Sequence, residues 1–144
     1  MQDQLGIRSA QIKDVNVVAS LLAQMGYPQE ISILSPKIEQ LIADENEVFL
    51  VAEIDERVCG FISMHYVPQL AVKGDYARVS YFCVDENYRS QKIGQKLLSY
   101  VEELAQKRQC DRVELRSADY RKDAHRFYLN NGYIDSPKFF IKKF

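Results

Sequence analysis

The run Tyr76-Ala77-Arg78-Val79-Ser80-Tyr81-Phe82-Cys83-Val84, continued by Asp85-Glu86-Asn87-Tyr88-Arg89-Ser90-Gln91-Lys92-Ile93-Gly94-Gln95-Lys96-Leu97-Leu98, decides the fold of this 144-residue chain. Residues 76–84 are rich in aromatic and β-branched side chains and read as a long strand. From Ile93 the apolar period changes. Ile93, Leu97, Leu98, Val101, Leu104 and Ala105 fall on one face at helical spacing, predicting a helix from Ile93 to about Arg108. Residues 112–116 read as a further strand, and strand, helix and strand in that order imply parallel pairing.

Upstream, residues 6–10 read as a short opening strand, and Asp14 as the cap of a helix running to about Met25. Val15, Val18, Leu21, Leu22 and Met25 form its apolar face, and Gly26-Tyr27-Pro28 ends it. Ser35-Pro36 predicts the start of a second helix, with Ile38, Leu41 and Ile42 inward. Residues 48–54 and 58–66 are strand-like, joined by Asp55-Glu56-Arg57, a hairpin turn without the usual glycine. Downstream, residues 123–131 read as a helix closed by Gly132. Tyr133-Ile134 and residues 139–141 read as a closing hairpin. The predicted order is β-α-α-β-β-β-α-β-α-β-β, a mixed, mostly antiparallel α/β sheet flanked by helices.

The join between the long strand and its helix carries chemistry. The first backbone N–H groups of a helix have no internal partners, and the helix dipole is positive there, so such a start binds phosphate. Arg89 and Lys92 add positive charge, and Gly94 removes a side chain where a ligand would approach the backbone. A solvated helix start with basic residues is the competing reading of the same pattern.

Composition narrows the class. Hydrophobic residues make up 47% and charged residues 27%, as in ordinary globular proteins, and the length suits one core, so residues 1–144 read as one domain. No apolar run approaches membrane-spanning length, and residues 1–8 lack the apolar stretch of a secretory signal. Cys59, Cys83 and Cys110 are odd in number and widely spaced, and His65 and His125 are the only histidines. Neither a disulfide framework nor a metal site is expected, and a reducing, cytoplasmic setting is. The net charge of -1 argues against nucleic-acid partners. Residues 1–85 carry 6 basic against 12 acidic residues, and residues 86–144 carry 13 against 8. Chance scatter over solvated surface explains this as well as the alternative, in which the second half handles an anion and the first half a cation.

Residues 84–98 resemble the acetyl-CoA signature of the GNAT superfamily of N-acetyltransferases: Arg or Gln, two residues, Gly, one residue, then Gly or Ala. Arg89 matches the first position and Gly94 the last, while Lys92 stands where the family usually has its first glycine and Ser90 where a glycine is common. Ile7-Arg8-x-Ala10 followed by Asp14 resembles the family's opening. Ala124-His125-Arg126-Phe127-Tyr128, then Gly132-Tyr133, resembles its second cofactor motif. The resemblance covers nearly the whole chain. It implies acetyl-CoA as co-substrate, with the pyrophosphate held by the backbone N–H groups of Gln91, Lys92, Ile93, Gly94 and Gln95 beside Arg89 and Ser90. Phe82, Cys83 and Val84 would hold the pantetheine arm through a bulged strand, and no metal would be required. A homodimer is expected by the same analogy.

The implied reaction is attack of an amine on a thioester. A thiol of pKa about 8.5 leaves more readily with a proton donor, and tyrosine, near 10, can donate at neutral pH. Tyr128 matches the family's tyrosine acid. The attacking amine must be neutral, yet an alkyl amine of pKa about 10.4 is almost wholly protonated at pH 7. Ser80 stands where many relatives carry a glutamate base, and serine alone cannot fill that role. His65, Asp85, Glu86 and water remain candidates, although His65 reads as a surface strand residue and His125 as an exposed helix residue. Arg121 stands near an asparagine that contacts the cofactor in the family. Acceptor recognition falls to the first two helices and their loop, with Tyr27 and Ser80 as candidates. The acceptor is expected to be a primary amine of a small molecule or peptide, with a cationic amine favoured by the charge asymmetry. Two alternatives stay open: a non-catalytic acyl-CoA-binding or sensor domain, and an unrelated α/β interaction module.

Overall fold

A single five-stranded sheet in the order β1-β2-β3-β4-β5 organises the chain. The computed structural model describes residues 5–117, 122–136 and 139–144. The elements are β1 (Leu5–Ser9), α1 (Val15–Gln24), α2 (Ile31–Ala43), β2 (Glu47–Ile54), β3 (Arg57–Val67), β4 (Tyr76–Val84), α3 (Ile93–Lys107), β5 (Val113–Leu115) and α4 (Lys122–Asn130). The first four strands pair antiparallel, and β4 pairs parallel with β5 across the α3 crossover.

The β2–β3 hairpin forms without glycine because Asp55 and Glu56 both adopt positive φ, 51° and 64°. Two consecutive left-handed residues match the twist of the flanking strands. The turn is therefore two residues long, and Arg57, read as part of it, already pairs with Ile54. A bulge follows in each of the two antiparallel ladders that flank β3. Between β2 and β3 the extra residue is Cys59, and between β3 and β4 it is Ser80. Burial pushes the Cys59 thiol up to about 11, so it stays protonated.

The sheet has two covered faces. Leu50, Ala52, Ile54, Ile62, Met64, Ala77 and Val79 pack under α3, which contributes Ile93, Leu97, Leu98, Val101 and Ala105. Phe49, Val51, Phe61 and Cys83 pack under α1 and α2, which contribute Val18, Leu21, Leu22, Leu34 and Ile38. Each fully buried aliphatic side chain contributes about 1.5–3 kcal/mol, against about 0–1 for an exposed ion pair. The apolar stripe of α3 thus anchors the start of that helix against β4.

Four local expectations are corrected. Asp14 occupies the position before α1, but its side chain caps nothing in that helix. It is buried instead, accepting from the Gln11 N–H at 2.8 Å and from both terminal nitrogens of Arg8 at 2.9 Å. The second helix begins at Ile31 with Pro36 inside it, because Ile33 and Leu34 donate to the Glu30 carbonyl and Leu34 joins Ile38 in the core. Ile42, expected inward, is 45% exposed. The closing hairpin is not formed among the described residues. Tyr133 instead closes α4, its N–H donating to the Tyr128 carbonyl and its hydroxyl to Glu102, while Ile134 and Phe140 face solvent.

Candidate active site

The ladder between β4 and β5 is short. Ala77, Arg78 and Val79 pair with Val113, Glu114 and Leu115, and then the strands part. From Ser80 to Val84 no described strand covers that edge of β4, so backbone groups that face it are left for an extended, amide-bearing ligand, apart from the Val84 carbonyl, which Arg89 occupies.

The loop after β4 is built by Asp85, whose carboxylate accepts from the Asn87 N–H at 3.0 Å and whose carbonyl accepts from Tyr88 at 2.8 Å. A short 3-10 stretch, Glu86–Gln91, leads to Lys92. Lys92 lies in the left-handed region at φ 60°, a conformation that costs a non-glycine residue roughly 1 kcal/mol. Lys92, which stands where the family usually has a glycine, thus keeps the backbone shape that a glycine adopts freely. No side chain caps α3 at Lys92, so the first N–H groups of the helix point outward unsatisfied by a cap.

Beside this helix start lies a cavity of about 350 Å³ lined by Arg89, Lys92, Gln95, Phe127, Asn130 and Asn131. Two cations and a helix N-terminus at one cavity suit a phosphate-bearing ligand. Arg89 is steered by its Nε, which donates to the Val84 carbonyl at 3.3 Å. Ile93 is buried and offers only its backbone. Gly94 does not face open space: a Cβ there would meet Phe82, Val84 and Phe127 at 3.5–3.7 Å, so its first role is close packing of α3 on β4 and α4.

Of the three strand residues assigned to the cofactor arm, Phe82 and Val84 pack towards α3, whereas the Cys83 side chain is buried towards α1. Cys83 also turns its backbone away from the open edge, because the Asp85 N–H donates to the Cys59 carbonyl and the ladder then pairs Cys83 with Phe61 across β3. Phe82, Phe127, Tyr128 and Tyr133 form a continuous row, with successive ring centroids 6.2, 5.5 and 5.9 Å apart. Tyr128 is thereby placed on the same side of the sheet as the cavity, half-buried on α4.

On the opposite face, Tyr27 packs edge-on to Tyr81 with centroids 5.7 Å apart, and both are exposed. Next to them, Ser80 Oγ lies 2.6 Å from His65 Nε2, and His65 Nδ1 contacts a Glu47 carboxylate oxygen. His65 is therefore a half-buried, doubly engaged ring rather than a free surface residue, and His125 is half-buried on α4 rather than exposed. Asp85 is committed to the turn. The sequence reading missed Glu47, Tyr81, Phe127, Asn130 and Asn131. Of these, only Phe127 carried a signal, as part of the late aromatic motif. Arg121 and the Ser90 side chain lie outside the described residues.

Residues 16–133 match the model of the acetyltransferase (GNAT) family. The chain is similar to aminoalkylphosphonate N-acetyltransferase of Salmonella typhimurium, 35% identical over 101 residues, which are 70% of this chain and 66% of that protein. The match thus spans slightly less than two thirds of that relative's length. Among solved structures, a transcriptional regulator from Bacillus halodurans superposes with a TM-score of 0.91 at 23% identity, covering 98% of this chain and 100% of that one. An aminoglycoside N-acetyltransferase in complex with CoA superposes at 0.87 with 12% identity, covering 99% and 96%. At these identities the structures attest the shared fold. No helix among the described residues is long and apolar enough to cross a membrane.

Proposed function

The chain belongs to the GNAT family of acetyltransferases, and from that premise we propose that it transfers the acetyl group of acetyl-CoA to the primary amine of a small molecule. The observation that carries this reading is the uncapped, left-handed start of α3, with Arg89 and Lys92 beside it, next to the open edge of β4.

The residues present fit the co-substrate. Arg89, Lys92 and the N–H groups of Ile93, Gly94 and Gln95 would hold its pyrophosphate. Of the strand residues expected to hold its amide-bearing arm, Phe82 and Val84 would do so through backbone groups on the open edge, with Cys83 between them pairing to β3. Acetyl-CoA supplies a thioester, whose carbonyl accepts a nucleophile and whose thiolate departs. The acceptor nitrogen attacks that carbonyl directly, and Tyr128 protonates the departing sulfur as general acid. A backbone N–H near Val84 would polarise the carbonyl oxygen.

The acceptor enters on the Tyr27–Tyr81 face. The acidic excess of the first half is divided between Glu53, Asp55 and Glu56 at the hairpin tip and Glu47 beside His65, while Asp14 pairs with Arg8 and Asp75 with Arg108. The similar Salmonella enzyme, by its name, acts on aminoalkylphosphonates, and this chemistry joins polyamines, aminoglycosides, amino acids and peptide amines as acceptors to try. The test is acceptor-dependent release of CoA thiol across that panel. Turnover with at least one amine supports the reading. Saturable acetyl-CoA binding without turnover on any amine would leave the sensor reading in its place.

A further inference from the structure

The geometry points to His65 as the base that deprotonates the acceptor amine, working through the Ser80 hydroxyl, with Glu47 orienting the imidazole. This inference rests on the acetyl-transfer reading above and supplies the group that serine alone cannot.

Three adjacent strands contribute one residue each. Glu47 on β2 and His65 on β3 are register partners, and Ser80 is the bulged residue of β4. An ionised carboxylate can only accept, so the ring nitrogen facing Glu47, Nδ1, carries the hydrogen. In the neutral ring Nε2 is then a lone pair, and Ser80 donates its hydroxyl to it across 2.6 Å. Ser80 Oγ also lies 3.5 Å from the buried hydroxyl of Ser63, which further fixes its position.

The bulge is what opens this arrangement to substrate. One extra residue places Ser80 and Tyr81 successively on the α1 side, and returns Phe82 and Val84 to the α3 side. Ser80 is also the first residue of β4 beyond its ladder with β5, so its hydroxyl stands at the mouth of the gap between the strands. Ser80, Tyr81 and Tyr27 are exposed, whereas His65 is half-buried. Among the described residues, the charged register partner of His65 on β4 is Arg78, and Tyr81 follows the bulge on the same face. Arg78 is turned towards Glu114 at 3.6 Å and the Tyr76 hydroxyl at 3.1 Å, away from competition for the imidazole.

The proton balance is simple. An acceptor ammonium gives one proton to Ser80 Oγ as Ser80 passes its own to His65 Nε2. The nitrogen lone pair forms the new C–N bond as the C–S bond breaks. The second proton lost as the amide forms balances the one given to sulfur, and His65 returns its proton to solvent.

The test is the pH dependence of kcat/KM for the best acceptor in wild type, His65→Gln, Ser80→Ala and Glu47→Gln, with acetyl-CoA affinity measured by calorimetry. A positioned base contributes about 10²–10⁴-fold. We expect His65→Gln to lose that much at neutral pH while binding acetyl-CoA normally. Wild type should reach its plateau below the pKa of the acceptor. The variant should instead climb about tenfold per pH unit towards the amine's own value, near 10.4 for an alkyl amine. Glu47→Gln should lower the rate less and keep the plateau. If His65→Gln does not fold, Ser80→Ala carries the test, since it breaks the relay and leaves the His65–Glu47 pair. A wild-type profile in His65→Gln or Ser80→Ala, or an acetylated Ser80 trapped by mass spectrometry, would overturn the assignment while leaving acetyl transfer intact. Absence of any acceptor-dependent turnover in wild type would overturn both.

Discussion

Tyr133 locks the end of α4 onto Tyr128: its N–H donates to the Tyr128 carbonyl at 3.1 Å, and the two rings pack with centroids 5.9 Å apart. Gly132 between them adopts φ 89°, which is the left-handed closure that ends a helix. Tyr133 is itself held by its hydroxyl bond to Glu102 at 2.7 Å, so α4 is tied to α3 where the two flank the cavity.

This tie makes Tyr128→Phe a clean test of the general acid. The ring contacts and the helix closure survive, and only the hydroxyl is lost. With chemistry rate-limiting, kcat should fall by about 10²–10⁴-fold, with acetyl-CoA affinity nearly unchanged in calorimetry. Wild-type turnover in this variant would make Tyr128 a packing residue.

The phosphate assignment separates charge from shape. Arg89→Ala should weaken acetyl-CoA binding about tenfold or more, since a charge-assisted hydrogen bond contributes about 1.5–3 kcal/mol, and the residual affinity should depend less on salt. Gly94→Ala should fold, because its added Cβ meets Phe82, Val84 and Phe127 at ordinary contact distance. Gly94→Phe would collide with those same side chains, so a folded alanine variant is the better probe of the helix start. Equal affinity in Arg89→Ala and wild type would remove the pyrophosphate from this cavity.

Stability at low pH should rest partly on Asp14. Burial alone would raise its pKa, but the Arg8 hydrogen bonds, the Gln11 N–H and the Arg8 charge outweigh it and hold the carboxyl below its usual range. A folded-state pKa below the unfolded value of about 3.9 contributes stability that is full above that value and fades as pH falls through the folded one. Asp14→Asn should therefore cost about 3 kcal/mol at neutral pH, the low end for breaking a buried pair because Arg8 is a quarter exposed. The difference from wild type in urea unfolding should shrink below about pH 4.

Much of the fold was legible because period and composition decided it. The strand Tyr76–Val84 was read with its observed ends, and the apolar stripe of α3 with all but Leu104 fully buried. The start of α2 was misread because Pro36 imitates a first helical residue, while Leu34 in the core fixed an earlier start. Arg89 and Gly94 marked the helix start, but the left-handed backbone of Lys92 was hidden by a side chain that seldom adopts it. His65 and Ser80 were each named as candidates, but their meeting with Glu47 was not legible, because it depends on register. The two-residue turn at Asp55-Glu56 and the bulge at Cys59 bring Glu47 opposite His65, and a one-residue slip would send either side chain to the other face. A second bulge then leaves Ser80 beside them on β4, and no residue type in the sequence signals it.

The most direct measurement of the central claim is product stoichiometry: N-acetyl product by mass spectrometry against free thiol, with acetyl-CoA and an active amine. Acetyl transfer requires one N-acetylated amine for each thiol released, and almost no thiol without the amine. Thiol released at the same rate without amine, or in the presence of unmodified amine, would show hydrolysis rather than transfer and would contradict the assignment.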